Sequence, residues 1–305
     1  MDLHLPEALQ HFRPPSASAE YLPSLYVSAR IERALLKALA PADAEGPPRL
    51  SAAVRHALFP GGGRLRPKLC LAVAQACGDP HPDLAEAVAA SLEMMHCASL
   101  VHDDLPCFDA ADTRRGQPTV HRAFGENIAV LAGDHLIVLA FENLARNAAK
   151  SPRLASMVGL LARGVGSPFG IIAGQAWESE NKIDAARYRR AKTGALFEAA
   201  SALGAVAAGE DPQRWGVVGA KVGEAYQVAD DILDVLGDAD RLGKPVGQDA
   251  ALGRPNAVNE LGLAGARKLF DELFEEANRA VPPCANPGVV RAWMGEAERR
   301  AKGLF

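Results

Sequence analysis

Apolar residues recur every three to four positions over most of this chain, and runs that alternate apolar and polar with a period of two are hard to find. The pattern is helical. Val27, Ile31, Leu35 and Leu39 predict a first helix from Leu25 to about Leu39, ended by the PADAEGPP segment. A short helix over 50–58 and another over 67–76 follow. Leu84, Val88, Leu92 and Met95 mark a long amphipathic helix from Leu84 to Leu105, which Pro106 ends or kinks. Further helices are predicted over 128–149, 153–177, 184–208, 212–236, 263–280 and 288–302. The chain therefore reads as all-α. Residues 1–23 carry Pro and Ser with weak patterning and read as an irregular arm, and 24–305 as one domain, since no repeat or linker divides them. The longest loop is 237–256, and loops of that length are functional or disordered.

Charge narrows the range of partners. A net charge of −4 gives no global basic field for nucleic acid or an anionic membrane. The longest apolar segment, Ile128 to Phe141, is interrupted by Asp134 and His135 and reads as too short and too polar to span a bilayer. No positively charged segment followed by an apolar run opens the sequence, so a signal peptide is not expected. The five cysteines are odd in number, form no CxxC pair, and point to reduced thiols in a cytoplasmic setting.

The candidate chemistry lies in two acidic clusters. Residues 96–119, HCASLVHDDLPCFDAADTRRGQPT, place Asp103, Asp104, Asp109 and Asp112 beside Arg114 and Arg115 at one helix end. Clustered carboxylates raise one another's pKa, and a divalent cation removes that cost. Mg2+ is commonly held by one or two carboxylates, with phosphate oxygens and water completing its shell. The two guanidinium forks match phosphate. The helix C-terminus, with its negative dipole, suits a cation. His96 stands seven residues before Asp103, on nearly the same face. The second cluster, Asp230, Asp231 and Asp234, lies in an apolar helix, with Asp230 and Asp234 about 40° apart. FPGGGRLRP, with Arg66, is a loop able to approach an anion, and Lys192, Thr193 and Lys244 are further candidates for phosphate contacts.

Taken together, DDLPCFD at 103–109, RRGQPTVH after it, DDILD at 230–234 and LGKPVGQD after that resemble the two Asp-rich motifs of the short-chain trans-isoprenyl diphosphate synthases. The resemblance covers roughly residues 50 to 260, and the two motifs lie about 125 residues apart. It implies a bundle of roughly ten or more helices around a central cavity, and a homodimer. It also implies a Mg2+-dependent condensation of isopentenyl diphosphate with an allylic diphosphate. By the same resemblance Asp103, Asp109 and Asp230, with Asp231 and Asp234 joining through water, would hold about three Mg2+ ions. Arg114, Lys192 and Lys244 would grip the allylic diphosphate, and Arg66, His96 and Arg115 the isopentenyl diphosphate. Thr193 and Gln227 would face the developing allylic cation. Ala98 and Ser99, small where farnesyl synthases carry a large aromatic, would leave the product tunnel open to a C20 chain.

Two departures stand out. Gly63 replaces the lysine usual in GGKRLRP, and Arg254-Pro255-Asn256 replaces a Lys-x-Thr. These variants are similar to the carotenoid and bacteriochlorophyll branch of the family, which makes geranylgeranyl diphosphate. A farnesyl diphosphate synthase and a non-catalytic regulatory subunit are the alternatives. A class I terpene cyclase would not need the second diphosphate site that Arg66, His96 and Arg115 propose.

Overall fold

A computed structural model describes residues 24–59, 62–182, 184–236 and 256–305. Among these, the elements in order are α1 (Ser24–Glu45), α2 (Pro48–Leu58), α3 (Leu65–Ala76), α4 (Pro82–Asp103), β1 (Thr113–Arg114), β2 (Gln117–Pro118), α5 (Val120–Phe124) and α6 (Glu126–Ala148). There follow α7 (Leu154–Val165), α8 (Ile171–Trp177), α9 (Ala185–Arg189), a π-helical turn (Arg190–Gly194), α10 (Ala195–Ala208), α11 (Pro212–Leu236), α12 (Ala257–Ala280) and α13 (Pro287–Lys302). The expected all-α architecture is what forms. The two short strands pair antiparallel, with Arg114 opposite Gln117.

Helices α4, α10 and α11 form the centre. Helix α10 packs against α3, α4, α7 and α11, while α4 packs against α6 and α11 against α12. One continuous core of buried residues runs from Val27 to Ala301. Most side chains on α4 and α10 are buried all round, which explains why α10 reads as a continuous apolar run rather than as one stripe.

Several boundaries differ from the pattern-based expectations. Helix α1 continues through Pro41 to Glu45 instead of stopping near Leu39. Arg146 donates to the Ala38 carbonyl (3.1 Å), one turn before the proline, and so helps hold this stretch. The helix expected over 153–177 is two, α7 and α8, divided where Gly166, Pro168 and Gly170 interrupt the pattern. The helix expected over 184–208 is interrupted by the π-helical turn. Helix α6 outruns the apolar segment 128–141. It and α4 are long and apolar enough to cross a membrane by length and composition, with 44% and 72% of the relevant window buried inside the fold. Residues 1–23, the expected arm, lie outside the described residues.

The loop before α3 is held from within. Arg64 takes a left-handed backbone conformation (φ 49°) and is buried. Its guanidinium donates to Glu93 (2.6 Å), Glu32 (2.8 and 3.1 Å) and the Leu58 carbonyl (2.7 Å). Glu93 is itself only 1% exposed, on α4. The pair thereby fixes Arg64 and the start of α3 against the helix that carries the first acidic cluster. Removing one partner of a buried ion pair strands the other charge, at a typical cost of about 3–5 kcal/mol. Arg64→Ala is expected to lose that much unfolding free energy in a urea titration. Arg33→Ala, whose side chain is half-exposed over Glu86, is expected to lose under ~1 kcal/mol.

Candidate active site

A cavity of about 790 Å3 opens between α4, α6, α8, the π-helical turn and α11. Asp103 and Asp109 line it from one side, Asp230 and Asp234 from another. Arg66, His96, Ser99, Arg114, Lys192, Thr193 and Gln227 also line it. Two motifs separated by more than a hundred residues thus converge because α4 and α11 flank the same cavity.

Each acidic cluster is divided by packing. After α4 ends, the chain turns so that the Asp109 amide donates to the Asp103 carbonyl (3.0 Å), bringing both carboxylates to the cavity. Burial pushes the Asp103 carboxyl up; Lys192 opposes the shift, and the charge of Asp109 adds to it. Asp103 Oδ1 is buried with no hydrogen-bond partner. Asp104 points the other way, only 3% exposed, and accepts a bidentate pair from Arg114 (2.8 Å from Nε to each oxygen, 2.5 Å from Nη2). Burial raises its carboxyl too, against the pull of Arg114. Burial likewise works against the charge of Arg114, but the bond to Asp104 together with the charges of Asp104, Asp103 and Asp109 outweighs it, and the pKa of Arg114 rises. Asp112 forms an exposed pair with Arg122.

Asp231 lies apart from the other aspartates of its motif. It is fully buried and outside the cavity lining. Its Oδ1 accepts from Gln227 Nε2 (2.8 Å) and its Oδ2 from the Ala257 amide (2.7 Å), at the start of α12. On a helix packed between α10 and α12, neighbouring aspartates at 100° intervals cannot all face one cavity.

The cationic side is equally ordered. Arg66 lies with its guanidinium carbon 4.6 Å from the centre of the Phe197 ring, and its Nε is buried without a partner. Burial lowers its pKa, with Glu93 and Asp230 pulling back. His96 is held neutral, first by burial and then by Arg66, Arg115 and Arg114. Arg115 is exposed beside Gly62, outside the main cavity lining. A Cβ on Gly62 would fall 2.6 Å from the Arg115 guanidinium carbon, and its φ of 145° favours glycine as well. Gly63 carries no charge, so the lysine contact expected from the family pattern has no substitute at that position.

Lys192 and Thr193 sit in the π-helical turn, a local unwinding often found at functional sites. A Cβ on Gly174 would come within 2.5 Å of the Lys192 backbone, so glycine lets α8 press against the turn. Lys192 pairs with Glu178, which also accepts from Tyr188 (2.8 Å) and Gln175 (3.3 Å). Thr193 donates to Gln227. Sequence reasoning missed Gln175, Glu178, His102 and Asp134. The first two stand as polar breaks in the run IIAGQAWE, the only signal they offered. His102 and Asp134 approach each other at 3.7 Å across the cavity wall. Of the proposed chain-length pair, Ser99 lines the cavity, while Ala98 is 1% exposed and does not. Lys244 and Arg254-Pro255 lie outside the described residues.

The geometry requires two opposite guests. A carboxylate oxygen of Asp103 without a partner suits a cation, and the partnerless Nε of Arg66 suits an anion, in one cavity. No group of three or more His, Cys, Asp or Glu side chains among the described residues is close enough to hold a metal by itself.

The sequence profile of the polyprenyl synthetase family matches residues 47–282. The chain belongs to that family. The geranylgeranyl diphosphate synthase of Cereibacter sphaeroides is 53% identical over 273 residues, covering 89% of this chain and 93% of that protein. The enzyme of the same name from Rhodobacter capsulatus is 51% identical over 257 residues, covering 84% and 89%. A crystal structure of a Helicobacter pylori geranyltransferase complexed with magnesium and isoprenyl diphosphate superposes with a TM-score of 0.74, at 28% identity, covering 91% of this chain and 96% of that one. Both Asp-rich motifs of this family member are present, and its cavity opens between them.

Linkage fixes a sign for Asp103. Its pKa in the fold is raised, so the native state keeps a proton that the unfolded chain has lost, and stability falls as pH rises from the ordinary carboxylate range through the raised value. In metal-free protein, Asp103→Asn is expected to raise the melting temperature at pH 7, with the gain vanishing at pH 3. The same variant is expected to lose most of the melting-temperature rise that Mg2+ plus inorganic diphosphate gives the unmodified chain. Differential scanning fluorimetry at several pH values measures both.

Proposed function

We propose that this chain is a Mg2+-dependent prenyltransferase that condenses isopentenyl diphosphate with an allylic diphosphate and releases geranylgeranyl diphosphate. The observation that carries the proposal is the pairing of Asp103, whose Oδ1 has no partner, with Arg66, whose Nε has none, in one cavity. Asp103 and Asp109 on one side, and Asp230 and Asp234 on the other, would hold about three Mg2+ ions; Asp231 is not among these ligands in our reading. Bound Mg2+ supplies Lewis-acid neutralisation of the departing diphosphate. Arg114, Lys192 and Lys244 would bind that diphosphate. Arg66, His96 and Arg115 would hold the isopentenyl diphosphate, with neutral His96 able to donate from one ring nitrogen.

The chemistry follows from this placement. The allylic C–O bond breaks and its electron pair leaves with diphosphate. The isopentenyl double bond attacks the resulting cation, and a proton is lost from the adduct. Oxygen dipoles of Thr193 and Gln227 would face the cation, and fixed charge in a low-dielectric cavity is worth more than in water. Burial of the apolar tail against Leu100, Leu105, Ile171 and Ile172 favours elongation, at about 0.8 kcal/mol per methylene. Ser99 leaves the wall open there. The 53% and 51% identity to two geranylgeranyl diphosphate synthases supports the C20 product over C15.

The same reading places residues 24–305 in one domain and the chain in a homodimer. Leu131 and Val138, on one face of α6, are 51% and 63% exposed, and this apolar face supports a partner copy. All five cysteines are free, which fits a cytoplasmic enzyme.

Incubating the purified chain with labelled isopentenyl diphosphate and dimethylallyl, geranyl or farnesyl diphosphate is expected to give a C20 product by chromatography. A C15 product alone would overturn the length assignment, and no product would favour the regulatory-subunit alternative. Ser99→Phe, which puts a ring into the cavity, is expected to shorten the product. For the assembly, sedimentation equilibrium is expected to return twice the chain mass of 32.1 kDa, and Val138→Glu to shift it toward the monomer.

A further inference from the structure

Asp231 has no place in the cavity, yet it ends a hydrogen-bond chain that begins there. Thr193 Oγ1 donates to Gln227 Oε1, Gln227 Nε2 donates to Asp231 Oδ1 (2.8 Å), and Asp231 Oδ2 accepts the Ala257 amide (2.7 Å). Thr193 and Gln227 line the cavity; Asp231 is 0% exposed behind them. From these contacts we infer that Asp231 is a positioning residue that sets the direction of the whole chain. The inference rests on the assignment of Thr193 and Gln227 to the allylic cation.

The reasoning is one of donors and acceptors. An ionised carboxylate only accepts, whereas a glutamine amide carries donors at one end and an acceptor at the other. Asp231 therefore draws the amide nitrogen of Gln227 toward itself and leaves the amide oxygen facing Thr193. Thr193 must then give its proton to that oxygen. Its own lone pairs, together with the second lone pair of Gln227 Oε1, remain for the cavity. The negative ends of both dipoles are thus aimed before substrate arrives, which is the preorganisation that stabilises developing positive charge. The anchor is rigid at both ends: Asn256 donates to the Asp231 carbonyl (3.3 Å) and caps α12 through the Val258 amide (2.8 Å).

A single substitution should reverse the direction. In Asp231→Asn the fixed Ala257 amide claims the new side-chain oxygen, so an NH2 group faces Gln227. The Gln227 amide turns over, presents its own NH2 to Thr193, and the threonine proton swings toward the cavity. Adding Gln227→Glu restores the polarity, because a carboxylate at 227 accepts from both neighbours while the total charge is unchanged.

Steady-state kinetics of the full chain with both diphosphates is the test. Asp231→Asn is expected to lower kcat roughly 100-fold, with KM for each substrate and the half-saturating Mg2+ concentration within about twofold of the unmodified chain. The Asp231→Asn/Gln227→Glu double variant is expected to recover at least about tenfold of that loss. A merely structural role would not produce recovery from a second change. An unaltered kcat, a loss cured by raising Mg2+, or a double variant no better than the single one overturns the inference, the second by placing Asp231 on the metal. An unmodified chain without turnover would sink the functional reading instead. In that case urea unfolding of Thr193→Val, Asp231→Asn and their combination still decides the chain of bonds: sub-additive shifts in midpoint support it and additive shifts overturn it.

Discussion

The fold is arranged around an electrostatic debt. Asp103, Asp109, Asp230 and Asp234 face one cavity, and burial already disfavours the charge on Asp103. Arg66, Arg114 and Lys192 are set into the same walls. The members of the site are carried on different helices, so charges of both signs meet at one cavity. Asp103 Oδ1 and Arg66 Nε remain unpartnered while their surroundings are packed. A metal diphosphate would satisfy both sides at once, so in the proposed reaction a chain with net charge −4 would meet anionic substrates through local charge. The attraction is local.

The surrounding helices keep that imbalance open. Arg64 and Glu93 lock the glycine loop to α4 from beneath, so Arg66 is presented while Arg64 is spent on structure. Arg114 is anchored by Asp104, which lets it line the cavity without following its own acidic neighbours. The π-helical turn aims Lys192 and Thr193 inward, with Glu178 bracing Lys192. In the Arg114–Asp104 and Lys192–Glu178 pairs one member lines the cavity and the other holds it in place. Asp104 and Glu178 thus support the cavity-lining cations beside them.

Family membership agrees with this division of labour. Relatives at 53% and 51% identity cover nearly the whole length, and the shared fold extends to a structure with magnesium and isoprenyl diphosphate bound. Gly63 marks where this chain holds less positive charge than the common family pattern. Gly62, whose missing side chain leaves room for the Arg115 guanidinium, shows how closely the loop and Arg115 approach.

Much of this was legible in the sequence. Helical periodicity identified the all-α class, and the resemblance of the two Asp-rich motifs singled out Asp103, Asp109 and Asp230, with Asp231 and Asp234 beside them. Glycine and proline should also have divided α7 from α8, but the apolar pattern ran through them. What periodicity cannot supply is which face of a buried helix looks into the cavity. The angle between Asp230 and Asp231 follows from the helix period, but its direction depends on α10 and α12 packing against α11. Only tertiary structure turned Asp231 toward Gln227 and Ala257, Asp104 toward Arg114, and Ala98 away from the cavity beside Ser99. It also supplied Gln175, Glu178 and the π-helical turn, since those depend on contacts between segments that the local pattern does not encode. Sequence named the charged residues because charge is local; the fold chose which of them meet, because that is settled by burial and by partners far along the chain.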